Sequence, residues 1–136
     1  MTPDEAIAVL LDAVQDDCQD QWIDIHGQGC LKLLREMGQR APRAITAVAN
    51  LMATHSENYV KLNCVELLTH AHMPEAGEAL VEALDLPLDD EVLEQIFEDA
   101  KDSLQMRTHA QFIAKARALY TRWPNSSLQD FLKSVK

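Results

Sequence analysis

Two stretches decide the reading of this chain: PRAITAVANLMATHSENYVKLNCVELLT, residues 42–69, and PEAGEALVEALDLPLDDEVLEQIFEDAK, residues 74–101. Laid on one another without gaps, at a shift of 32, they place Pro42 on Pro74, Ala44 on Ala76, Ala47 on Ala79, Val60 on Val92 and Glu66 on Glu98. Conservative matches lie between: Val48 on Leu80, Met52 on Leu84, Asn58 on Asp90 and Cys64 on Ile96. Within each stretch the apolar residues recur at the three-to-four spacing of a helix. The first has Ile45, Val48, Ala49 and Met52, then Val60, Cys64, Leu67 and Leu68, with Ala71 just beyond it; the second has Ala76, Leu80, Ala83 and Leu84, then Val92, Leu93, Ile96, Phe97 and Ala100. A proline opens each stretch, at a first turn where a missing N–H costs nothing. Each stretch is therefore one helical hairpin, with Ser56 as the expected N-cap of the second helix in the first copy and Asp89 or Asp90 in the second.

The flanks read the same way. Residues 3–15 form a helix capped by Thr2, with Glu5 completing a capping box, and residues 20–37 a helix ending at Gly38. Further helices follow Thr108 and Asn125, carrying Phe112, Ile113, Ala116, Leu119, Tyr120 and Trp123, then Leu128, Phe131, Leu132 and Val135. Pro87 and Pro124 fall between segments. No sustained period-2 alternation is present, so no sheet is expected. The fold class is all-α, in one domain over residues 1–136. Length agrees: 136 residues bury roughly two-thirds of their unfolded surface and need no disulfide staples.

A two-helix repeat near this length, opened by proline, with small alanines along the first helix and the Val60, Cys64, Leu67, Leu68 stripe echoed by Val92, Ile96, Phe97, Ala100, resembles the HEAT-like (armadillo-type) family. The acidic opening of the second helix, Glu57-Asn58-Tyr59-Val60-Lys61 and Asp89-Asp90-Glu91-Val92-Leu93, matches that family's profile in part; the base after the valine is missing from the second copy. The resemblance implies a right-handed α-α superhelix, a short solenoid of about four hairpins and roughly 40 Å long. It also implies that the second helix of each pair lines a concave face.

Charge is unevenly spread. Residues 1–74 carry a net −5, residues 75–102 a net −10, and residues 103–136 a net +5. On the helix that follows Asp89, the apolar set leaves Glu91, Glu94, Glu98, Asp99 and Asp102 facing out. Glu91, Glu94, Glu98 and Asp102 follow 3-4-4 spacing and make one anionic ridge. This is the expected contact surface for a basic protein or peptide, with Lys61, Leu62 and Glu66 on the neighbouring helix. Leu62 and Val65 widen that helix's apolar side, through burial on two flanks or as a patch in the groove. The function that follows is a non-enzymatic interaction module or adaptor. The alternative is an acidic inhibitor, of the immunity type, blocking a basic enzyme such as a nuclease by imitating phosphate charge. The basic end, Arg107, Lys115, Arg117, Arg122, Lys133 and Lys136, offers head-to-tail association with a second copy.

Other chemistry is not expected. His26 and Cys30 stand four apart on an apolar stripe and read as core residues, not as a metal site; no cofactor is expected. There is no phosphate-binding loop, nucleophile elbow or dinucleotide fingerprint. An acidic chain without aromatic interleaving among its bases argues against nucleic acid. No apolar run reaches the 18 or so residues that span a membrane. The three cysteines, Cys18, Cys30 and Cys64, form no C-x-x-C pair and suit a reducing, cytoplasmic compartment.

Overall fold

The computed structural model describes residues 42–135, together with Glu5 and Ala8, which are both helical and exposed. The expected helices over 3–15 and 20–37, with Trp22, His26, Gly27, Gly29 and Cys30, lie outside the described residues. Residues 42–135 form seven helices: α1 Pro42–Thr54, α2 Asn58–His70, α3 Pro74–Ala83, α4 Asp90–Lys101, α5 Leu104–Arg107, α6 Ala110–Tyr120 and α7 Ser126–Ser134; no strand occurs among the described residues. None is long and apolar enough to cross a membrane.

Each helix buries the stripe that its spacing marks out. Ala44, Ile45, Val48 and Met52 of α1 are shielded from water, as are Ala76, Leu80, Val81 and Ala83 of α3. On α2 the buried face is broader: Val60, Cys64, Val65, Leu67 and Leu68 are all inside, because α1, α3 and α4 all pack against this helix. Val65 is fully buried and Leu62 packs half-buried on the core, so the widened apolar side of α2 is covered and is no open patch. The N-cap of α2 is Glu57, one residue beyond the expected Ser56, and its side chain makes no capping bond. His72, in the link to α3, has φ 53°, the left-handed region that favours glycine.

Three hairpins share one rhythm. The second helix starts 16 residues after the first in every case: at 42 and 58, 74 and 90, 110 and 126. The first helices touch in series, α1 on α3 and α3 on α6; the second helices do the same, α2 on α4 and α4 on α7. From the first pair to the second the shift is 32, but from the second to the third it is 36, because the unexpected helix α5 is inserted between them. Ser103 caps it, its Oγ accepting the Met106 N–H at 3.3 Å. Gly77 makes room for this insert. It stands where the first copy has Ile45, and a Cβ there would lie 2.9 Å from Gln105 Nε2 and 3.2 Å from His109 Cδ2. Gln105 Nε2 instead donates to the Met73 carbonyl at 2.7 Å.

The second and third hairpins are joined by aromatic rings. Phe97 of α4 is fully buried, with ring centroids 5.7 Å from Phe112 of α6, 5.7 Å from Phe131 of α7 and 6.4 Å from Trp123. Phe112 and Phe131 meet edge to face at 5.3 Å. Tilted and edge contacts of this kind add about 0.5–1.5 kcal/mol per pair beyond burial.

Candidate functional site

The site begins with what α4 leaves over. Val92, Ile96, Phe97 and Ala100 are buried, and Leu93 packs on the core beside them. The rest of the helix turns carboxylates outward, between α2 on one side and α7 on the other.

The ridge does not stand as one free row. Near its start, Asn58 Nδ2 of α2 donates to Asp89 Oδ2 at 2.9 Å and to Glu91 Oε2 at 3.3 Å. Asn125 Nδ2, before α7, donates to Glu94 Oε1 at 2.8 Å, and Ser127 Oγ donates to Glu98 Oε1 at 3.2 Å. These partners lie 29 to 33 residues away in the chain, one hairpin up or down. Glu91 and Glu98 stay exposed and Glu94 is half-buried, and each accepts a bond that makes it a rung between neighbouring second helices. Amides and a hydroxyl hold the ridge, and no arginine does so among the described residues.

The lower part of the ridge opens into a cleft. A space of about 320 Å³ lies between α4 and α7, walled by Gln95, Glu98, Asp99, Lys101, Asp102, Ser127 and Asp130. Four carboxylates therefore face one ammonium. Asp99 is the most constrained of them. Its Oδ1 accepts from Gln95 Nε2 at 2.8 Å, while Oδ2 is shut away from solvent without a hydrogen-bond partner. Burial pushes the Asp99 carboxyl above the usual carboxylate range; the Gln95 bond and the charge of His70 pull the other way, and Glu66 and Glu98 add to the rise. Glu66 and His70 both stand on α2, which packs against α4. His70 itself is held in place, its Nδ1–H donating to the Glu66 carbonyl at 2.8 Å.

Of the seven residues read from the sequence, Glu98 and Asp102 line the cleft, Glu66 borders it electrostatically, and Glu91 and Glu94 are rungs. Lys61 and Leu62 lie on α2 away from the cleft wall, Lys61 half-exposed and Leu62 packed on the core. Gln95, Asp99, Lys101, Ser127 and Asp130 complete the wall and were not among the expected contact residues. A signal for Asp130 exists: at the shift of 36 that superposes the third hairpin on the second, it falls on Glu94. Among the described residues no group of three or more histidine, cysteine or carboxylate side chains is arranged to hold a metal ion. Cys64 is a buried free thiol.

A polar cleft at the small end of the ligand-site range, rimmed by acids, suits a lysine or arginine side chain better than an apolar small molecule. No protein-family model matches the chain, and no curated protein or solved structure matches it.

Proposed function

We propose that the protein is a non-enzymatic, cytoplasmic interaction module, a short right-handed HEAT-like array whose acidic cleft takes cationic side chains of a basic protein or peptide. The observation that carries this reading is the convergence of Glu98, Asp99, Asp102 and Asp130, from two second helices, around one space. Carboxylates in a partly enclosed wall interact more strongly with a cation than the same groups spread over a surface, and they steer its approach. The row of second helices, α2 on α4 on α7, supports the repeat reading, and so does the recurrence of inter-hairpin bonds.

The experiment is affinity capture with a lysine- and arginine-rich peptide, at low and then high salt. Binding falls steeply with salt, and Glu98→Lys with Asp102→Lys and Asp130→Lys removes it. Capture unchanged in that variant refutes the reading.

A second reading, an acidic inhibitor of a basic enzyme, draws on the density of charge: 11 of the chain's 22 acids lie in residues 75–102. It differs in requiring one tight partner rather than a class of peptides. Head-to-tail association has its own basis. Arg117, Arg122 and Lys133 are exposed and make no ion pair among the described residues, whereas Lys115 bonds to Asp85 and to the Val81 carbonyl. Sedimentation at two salt concentrations separates that association from monomeric behaviour.

A further inference from the structure

We propose that His109 is a proton-operated cap: neutral, it closes the start of α6, and as an imidazolium it loosens the start of the third hairpin. Its Nδ1 accepts the backbone N–H of Phe112 at 3.3 Å. That N–H belongs to the first turn, where helical amides have no partner within the helix. An accepting ring nitrogen carries no hydrogen, so the proton of the neutral ring resides on Nε2. Protonation turns Nδ1 into a donor facing a donor and sets a positive charge at the helix end that is already positive.

The other side-chain caps do not behave this way. Ser103 caps α5 and Asn125 caps α7, and neither changes charge with pH. The His109 ring is also confined. It lies over Gly77 of α3 so closely that a Cβ there would sit 3.2 Å from its Cδ2 and 3.5 Å from its Nε2. The turn it closes carries Phe112, which ties α6 to Phe97 and Phe131. Loss of the cap therefore acts on the contact that joins the last two hairpins. The charged groups on the helices packed around it are Glu75, Glu78 and Glu82 on α3, Arg107 on α5, Lys115 and Arg117 on α6 itself, and Asp130 and Lys133 on α7. None of them hydrogen-bonds to the ring.

Two measurements on the full chain test this. Long-range nitrogen–proton correlation spectra read the His109 tautomer at neutral pH, and the Nε2–H form is expected. Backbone hydrogen exchange in α6 and α7, corrected for intrinsic rates, is then compared at about pH 7.5 and about pH 5.5. Protection is expected to fall by on the order of tenfold in the natural protein, a typical cap loss. It is expected to hold steady in His109→Asn, which caps without titrating, and α1 and α2 are expected to stay unchanged in both. An Nδ1–H tautomer overturns the proposal without recourse to any variant; an equal fall in His109→Asn, or no fall in the natural protein, also overturns it.

Discussion

Truncation of Phe97 to alanine separates the third hairpin from the second. Phe97 is fully buried and meets Phe112, Phe131 and Trp123, all of which lie in or beside the last two helices. Removing a buried phenylalanine side chain costs about 3–5 kcal/mol, cavity included. Phe97→Leu keeps most of the apolar volume and loses chiefly the ring pairings, so about 1–2 kcal/mol is expected. In an array, stability is a sum of local and nearest-neighbour contributions, and a weakened interface lets one end unfold first. Urea unfolding followed by two probes distinguishes this from a single cooperative body. With Trp22 replaced by Phe, Trp123 fluorescence reports the last hairpin and far-ultraviolet dichroism reports the whole chain. In Phe97→Ala the fluorescence transition is expected to move to lower urea ahead of the dichroism. Coincident curves, or a loss below about 1 kcal/mol, refute the reasoning.

Other substitutions probe other parts of the structure. Asp99→Asn stabilises the protein at neutral pH, because an aspartate whose carboxyl is raised by burial is penalised when ionised; the advantage shrinks as pH falls through the raised value and vanishes below the ordinary aspartate range, which thermal melts across pH read out. His72→Gly relieves the left-handed backbone at φ 53° and is expected to gain up to about 1 kcal/mol after the added chain entropy, a rise of a few degrees in Tm. Gly77→Val drives Gln105 away and breaks its bond to the Met73 carbonyl, for a loss of about 1–3 kcal/mol in urea unfolding.

The features legible in the sequence are the local ones. Helix starts at Pro42 and Pro74, and after Asn125, follow from a ring that fits a first turn and an amide that caps one, and both signals lie within four residues of the helix they open. The 32-residue offset is likewise a pattern of side chains along one chain. Helix α5 escapes because four residues are too few to show a period, and it hides the third hairpin's offset of 36. The fate of the acids was harder to read. Glu91 and Glu94 have the spacing of free surface residues, but Asn58 and Asn125 reach them from neighbouring hairpins, a pairing that depends on how the layers are set. Asp99 has the same outward spacing as Glu98, yet its Oδ2 is closed off by tertiary packing.

The array reading requires that the second helices of the three hairpins lie side by side in chain order. Spin labels at Glu57, before α2, and at Ser126, the first residue of α7, measure this in a chain whose three cysteines have been replaced. Two successive helix spacings predict a narrow distribution near about 20 Å, broadened by the label arms. A distribution centred near one helix spacing, or beyond about 35 Å, contradicts the arrangement, and with it the stacked array.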